Sequence, residues 1–400
     1  MRKTIIIIIA ICFALTLGLT PTLIASAKGE NLNEKTLNSA LSNYNSRSAY
    51  VIDYDTGKVL FERKPEDKYP IASMVKIMTL NLAFDEIKKG NLALDEKITI
   101  SETASSMGGS QMFLDTGLEY SVSDLIKGII VVSANDASVA LAERISGNVD
   151  SFIELMNNKA RDFGMQNTRF ANVTGLPQEG QYSTAKDVTI MMKNLLKHPK
   201  YYDFSSIYLE NYTHPDGRKT ELTNTNKLVR FYKGCDGGKT GFTNDAMFCL
   251  SATAKRDDTR VIATVLGAPT SKERNKEITD LFNFAFANYK TVKLIEKDKP
   301  IPTKVEIKGA KEKNYEICVD KDIFILSKRN EKPQFDVEVT INDSLKAPIS
   351  KGVTIGQIKL IDKTTKTVID EANLITMKDI HSKSFMDGLR EIIENWFINL

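Results

Sequence analysis

The chain has 400 residues, 42% of them hydrophobic and 26% charged, and a formal net charge of +3. That length fits roughly two domains and can bury a sizeable core. The near-neutral balance leaves no electrostatic footprint for nucleic acid. No His/Cys cluster has metal-ligand spacing, so neither a metal nor another cofactor is expected.

The N-terminus opens Met1-Arg2-Lys3, runs apolar over residues 5–19 and reaches Ala25-Ser26-Ala27. A basic start, an apolar middle and an A-x-A site spell a secretory signal peptide over residues 1–27. A retained membrane anchor is the competing reading, and the small-residue site favours cleavage after Ala27. Cys12 does not make a lipoprotein site, because Ile11 precedes it and the apolar run continues. The mature chain is therefore expected outside the cytoplasmic membrane. Cys235, Cys249 and Cys318 remain, and an odd number is not a disulfide framework. Cys235 and Cys249 flank residues 239–241; they either meet across a hairpin or stay buried as free thiols.

Residues 49–64 read as a β-hairpin, with Asp55-Thr56-Gly57 as the turn between two β-rich runs. A helical pattern follows over residues 73–89 and ends at Gly90. Residues 121–147 read as two helices broken at Ser133-Ala134-Asn135, with Asp136 as a candidate cap for the second. Lys239-Thr240-Gly241 follows Gly237-Gly238 and reads as a strand entering a turn. Two more strands are expected over residues 246–254 and 260–267. Beyond Tyr289 the texture changes to short alternating runs rich in Lys, Val, Ile and Thr, punctuated by Pro300, Pro302 and Pro348. A small all-β domain is expected over residues 291–377. The last stretch, residues 378–400, places Phe385, Leu389, Ile392, Ile393, Trp396 and Leu400 at helical spacing on one face.

Three short motifs carry the chemistry. Ser73-Met74-Val75-Lys76 reads S-x-x-K, Ser133-Ala134-Asn135 reads S-x-N, and Lys239-Thr240-Gly241 reads K-T-G. Each is weak alone, since any helix can hold S-x-x-K, and Ser, Asn and Asp are ordinary caps. Their order is what carries weight. On a helix Ser73 and Lys76 share one face. A serine hydroxyl needs a base beside it. Only His198, His214 and His381 exist; the first two each precede a proline, and all three read as surface or loop residues. Lysine is then the candidate base.

These motifs resemble those of the low-molecular-mass penicillin-binding proteins, the serine-type D-alanyl-D-alanine carboxypeptidases. Residues 70–79, 109–114, 180–187 and 236–243 are also family-like, and the likeness covers roughly residues 35–375. Met247 departs from it, near a position where many members carry glycine. The resemblance implies an α/β (α+β) penicillin-binding-protein/β-lactamase-like catalytic domain, with a five-stranded antiparallel sheet flanked by helices, over residues 28–290. It implies Ser73 as nucleophile, Lys76 as its base and Ser133 as a proton relay. Asn135 would hold the substrate amide; Lys239, Thr240 and Gly241 would line the carboxylate site. The backbone N–H groups of Ser73 and Phe242 would form the oxyanion hole. Arg260 is a further candidate for the carboxylate, set against a plain strand-edge charge. The implied substrate is the peptidoglycan pentapeptide, with β-lactams as covalent inhibitors.

Two other readings stand beside this one. A class A β-lactamase would carry an E-x-x-L-N base, and none occurs between Asn135 and Lys239. A non-catalytic wall-binding protein would have little need of both Ser73 and Lys76. In the family the C-terminal tail lies on the membrane surface. The apolar face and Trp396 suit that, but Asp387, Glu391 and Glu394 do not, because anionic lipid repels them. A helix packed on its own β domain is the alternative. The tail is too short and too charged to span a bilayer.

Overall fold

The computed structural model describes residues 43–384, apart from 302 and 313, together with residue 386. The leader expected over residues 1–27 lies outside the described residues, as does most of the tail expected over residues 378–400. The chain divides into two compact units, one ending at Asn288 and the other running on from Tyr289.

The first unit holds β1 (Ser48–Asp53), β2 (Val59–Arg63), β3 (Lys97–Thr99), β4 (Glu119–Ser121), β5 (Leu209–Thr213), β6 (Lys219–Thr223), β7 (Cys235–Thr243), β8 (Met247–Arg256) and β9 (Thr259–Ala268). Five of them form one antiparallel sheet in the order β2-β1-β9-β8-β7. β3 with β4, and β5 with β6, make separate two-stranded ribbons. The five-stranded sheet expected from the family resemblance is present.

β8 and β9 are buried on both faces: Ser251, Thr253 and Thr264 are as enclosed as Leu250, Ala252 and Val265. Such strands need helices on either side. Helices Ala185–Leu195 and Ser271–Asn288 pack on the sheet. The buried hydroxyls satisfy one another, Thr189 to Thr264 at 2.7 Å and Thr264 to Ser251 at 2.8 Å. A helical layer completes the unit, and Ile77 and Leu80 of helix Lys76–Lys89 share one hydrophobic core with Ile126, Ile129 and Leu141.

The helix expected from Ser73 begins later. Ala72–Val75 is a 3₁₀ turn and the α-helix starts at Lys76. Ala72 has φ +48°, which an α-helix cannot accept, so the chain enters tightly and lifts Ser73 to the surface of the turn. Gly90 ends the helix in the left-handed conformation, as its position in the sequence suggests.

Over residues 289–376 the described part of the second unit is built of strands, as expected: β10 (Tyr289–Ile295), β11 (Lys304–Val305), β12 (Tyr315–Val319), β13 (Ile323–Lys328), β14 (Phe335–Ile341), β15 (Thr354–Asp362) and β16 (Val368–Thr376). Its five-stranded sheet runs β11-β12-β16-β15-β14, and β10 pairs with β13. The alternation of β16 buries Ala372, Leu374 and Thr376, and the first two join Ile317, Val319 and Ile358 in one core. Among the described residues no helix is long and apolar enough to cross a membrane.

Candidate active site

The 3₁₀ turn that carries Ser73 lies between two backbones. On one side is β7, the outer strand of the sheet. A Cβ on Gly241 would fall 2.5 Å from the Ile71 carbonyl oxygen, so only glycine lets the strand come this close. On the other side is the loop 172–181. Gly175, at φ +84°, would place a Cβ 2.0 Å from the Ala72 carbonyl oxygen. The Asn172 carboxamide shapes that loop by accepting from Gly175 N at 2.7 Å and Thr174 N at 3.2 Å.

The loop matters because of where it aims Thr174. The Lys76 Nζ donates to the Thr174 carbonyl at 2.5 Å and to Ser73 Oγ at 3.0 Å. Lys76 is fully buried. Burial, followed by the nearby Lys239 charge, holds its ammonium well below the usual lysine range, while Asp136 acts in the opposite sense. A neutral amine beside a serine hydroxyl is a general base in position.

Across the cleft, Lys239 Nζ donates to Ser133 Oγ at 2.7 Å and to the Thr240 carbonyl at 3.1 Å. Burial and then the Arg274 charge lower the Lys239 pKa to about 7. Ser133 stands at φ +65°, uncommon for a residue with a side chain, and both it and Asn135 are buried. Asn135 starts helix Asn135–Ser146; its N–H donates to the Ser110 carbonyl at 2.7 Å, and its Nδ2 to the Gly108 carbonyl at 2.6 Å. Its Oδ1 is buried with no donor facing it, an acceptor that a bound amide would satisfy.

Asp136 lies one residue inside the helix, and Ala134 is the cap. Its carboxylate accepts from Met112 N and Leu114 N at 3.1 Å and from Ala137 N at 2.8 Å. It thus pins the loop that supplies the Asn135 partners. Thr240 Oγ1 donates to Thr225 Oγ1 at 2.8 Å, and Phe242, half exposed, stacks on Phe248 at 4.3 Å.

Arg260 is not with this group. Its register partner is Lys255, whereas Lys239 shares a rung with Ser251 and Thr264. Four strand positions separate the two rungs, about 13 Å. The Arg260 guanidinium grips the Asp236 carboxylate twice, at 2.8 and 2.7 Å, donates to Thr253 and lies over the Tyr202 ring. The cation near Lys239 is instead Arg274, which the sequence reading missed. It belongs to the first turns of helix Ser271–Asn288, is buried, and has its own pKa lowered by that burial to about 10. Its trace in the sequence is a charge on the stripe that otherwise buries Ile278, Leu281 and Phe282.

His198 and His214 play no part here. His198 faces Asp85 and stacks on Phe84, while His214 is buried against Tyr120 and Tyr212, not at the surface as its neighbouring proline suggested. Cys235 and Cys249 are buried free thiols. On the β7–β8 ladder Cys249 faces Gly241 and Cys235 faces Ala254, so they do not meet.

An antiparallel sheet between helices, a serine on a buried lysine, and a second serine–lysine pair opposite define a serine acyl hydrolase of the penicillin-recognising class. Residues 34–270 match the D-alanyl-D-alanine carboxypeptidase family, and residues 289–382 match the C-terminal domain of penicillin-binding protein 5. The chain is 41% identical over 355 residues to the D-alanyl-D-alanine carboxypeptidase DacF of Bacillus subtilis, covering 88% of this chain and 90% of that one. It is 31% identical to DacA of Escherichia coli K12, with 96% of each covered. The crystal structure of penicillin-binding protein 5 from Haemophilus influenzae superposes with a TM-score of 0.70 at 32% identity, over 84% of this chain and 98% of the other. The chain belongs to the D-alanyl-D-alanine carboxypeptidase family, the serine peptidases among the penicillin-binding proteins.

Proposed function

We propose that Ser73, activated by Lys76, removes the terminal D-alanine from the D-Ala-D-Ala end of peptidoglycan stem peptides. The observation that carries this reading is the 3.0 Å contact between a buried Lys76 amine and Ser73 Oγ, with the Lys239 charge across the cleft. Lys76 takes the Ser73 proton as Oγ attacks the scissile carbonyl. The N–H groups of Ser73 and Phe242 hold the resulting oxyanion. Ser133, fed by Lys239, passes a proton to the departing amine, and D-alanine leaves. Water then hydrolyses the Ser73 ester. Asn135 Oδ1 accepts from the substrate amide, while Lys239, Thr240 and Arg274 hold its terminal carboxylate; Gly241 keeps β7 close enough to do so. β-Lactams mimic the dipeptide end and acylate Ser73.

Intact mass spectrometry of residues 28–400 with penicillin, beside Ser73→Ala, tests the nucleophile. A stable adduct on the parent alone, with D-alanine release from a diacyl-D-Ala-D-Ala peptide, is expected. An adduct on the Ser73→Ala protein, or none on either, overturns the assignment.

The leader over residues 1–27 and the amphipathic pattern over residues 378–400 support a further reading. The enzyme works outside the cytoplasm, held peripherally on the outer face of the cell membrane by its tail, with residues 28–290 catalytic and 291–377 as a spacer. Deleting residues 385–400 is expected to release it from membranes; unchanged association rejects the anchor.

A further inference from the structure

The polar face of the tail is poorly suited to lipid. Residues 385–400 carry Asp387, Glu391 and Glu394 against the single Arg390. An anionic leaflet repels such a segment, so its attachment calls for positive charge from elsewhere.

The place where the chain enters the tail supplies it. In the C-terminal unit three segments hydrogen-bond to one another. Lys308 forms a bridge with Lys346, and Ala347 N donates to the Lys308 carbonyl at 3.0 Å. Ile349 pairs with Ile380. Lys311 N donates to the His381 carbonyl at 3.0 Å and Lys383 N to the Gly309 carbonyl at 2.8 Å. Residues 308–312, 346–351 and 378–383 are thereby drawn together, and the chain passes from the last of them straight into residues 385–400.

These segments bring Lys308, Lys311, Lys346, Lys351, Lys378 and Lys383 together against their own two carboxylates, Glu312 and Asp379, with Glu316 of β12 also acting on Lys378. All six lysines are exposed except Lys383, which is half-buried. Glu312 pairs with Lys378 at 2.8 Å, and Asp379 accepts from the Lys351 backbone N–H at 2.7 Å. Lys308 and Lys346, neighbours across the bridge, have no carboxylate between them on these segments. Like charges held side by side repel, and an anionic partner relieves that repulsion.

We propose that this lysine collar is a docking surface for the anionic headgroups of a lipid membrane, acting beside the apolar face of the tail. The proposal rests on the reading that residues 378–400 attach the enzyme to membrane, and it divides the labour. The tail supplies apolar insertion, and the collar supplies the attraction that the tail lacks. A soluble anionic wall polymer would meet the same charges, but residues 378–383 run directly into a segment whose sequence places Trp396 on an apolar stripe, which commits this surface to lipid.

The test is cosedimentation of residues 28–400 with vesicles of phosphatidylcholine alone or with about one-third phosphatidylglycerol. It compares the parent, the triple variant Lys308→Gln/Lys346→Gln/Lys351→Gln, the matching Lys→Arg triple, and deletion of residues 385–400. Each lysine near an anionic surface strengthens binding roughly fivefold. The Gln triple is therefore expected to lose about a hundredfold in partition to the anionic vesicles and little to the neutral ones. The Arg triple retains binding, and D-alanine release is unchanged in both. Salt near 0.5 M should erase the parent's preference for anionic vesicles. Undiminished binding of the Gln triple, with release only on deleting residues 385–400, overturns the collar and leaves the tail anchor standing. No binding of the parent to either vesicle overturns both readings. Competition by a soluble polyphosphate chain that binds the parent tighter than vesicles do reassigns the surface and overturns the lipid proposal.

Discussion

The Lys239 ammonium donates to Ser133 Oγ at 2.7 Å, joining a sheet edge to the break between two helices. The two residues come from motifs 106 positions apart in sequence, and in the proposed mechanism this contact sets which proton the serine can give away. Replacing Ser133 with alanine is expected to lower kcat/KM for a diacyl-D-Ala-D-Ala peptide by about 10²–10⁴, the range of a lost proton-transfer group. Steady-state D-alanine release measures it. Because Ser133 is small, the melting temperature should change little, and a tenfold or smaller loss of activity would remove it from the proton path.

Lys76 and Lys239 together are expected to set the dependence of rate on pH. Lys76 must be neutral to accept a proton, and its pKa is depressed by burial and then by Lys239. The acid limb of kcat/KM therefore reports the proton lost from the interacting Lys76–Lys239 pair, which titrates as a unit. Removing the Lys239 charge, as in Lys239→Met, takes away one depressing influence, so the acid limb should move to higher pH. A kcat/KM profile from pH 5 to 10 at fixed ionic strength gives the answer; a limb that stays or moves down contradicts the coupling.

Stability should follow pH in a defined window. The folded Lys239 has its pKa near 7 against an ordinary 10.5. Between those values the unfolded chain binds a proton that the folded chain does not, so stability rises with pH. Above about pH 9 the buried thiols Cys235 and Cys249, raised to about 12 and about 11, act in the opposite direction. Calorimetry between pH 7 and 9 is therefore the clean range. A rise is expected in the parent, reduced by about 1–2 kcal/mol in Lys239→Met, and an equal rise in both would place the proton elsewhere.

Arg274 and Arg260 separate by function. Arg274→Gln should raise KM for peptides ending in a free carboxylate by about ten- to a hundredfold with a smaller effect on kcat, because in the proposed binding mode it removes a charge that acts on the carboxylate beside Lys239. Arg260→Gln should leave KM within about twofold and lower stability by about 1–3 kcal/mol, since Asp236 loses a doubly bonded partner. The reverse pattern would return Arg260 to the site.

Much of this site could be read from the chain alone. Ser73 and Lys76 lie within one turn, and Ser133 and Lys239 belong to motifs whose order is informative. What the sequence concealed has physical causes. Arg260 looked close because it follows Lys239 by two strands, but the β8–β9 hairpin carries it to the other end of the ladder. Arg274 belongs to no motif, and only the packing of helix Ser271–Asn288 on the sheet brings it to Lys239. The start of the catalytic helix was misplaced because Ala72 adopts a positive φ, which alanine shows little sign of from its neighbours. The contact of Lys76 with the Thr174 carbonyl depends on a backbone atom, and backbone atoms leave no mark in composition.

The enclosure of Cys235, Cys249 and Cys318 gives the molecule a built-in gauge of its own opening. All three thiols are buried and free, and burial pushes each of their pKa values up, so almost none is thiolate at neutral pH. While the fold is closed, oxidants and alkylating reagents are kept from these three sulfurs. Cys249 lies on the rung of Gly241, at the strand that lines the cleft, whereas Cys318 belongs to the other unit. Their separate labelling rates then give two clocks, one timing the loosening of the catalytic sheet and the other that of the β unit, without any reporter having been added to the chain.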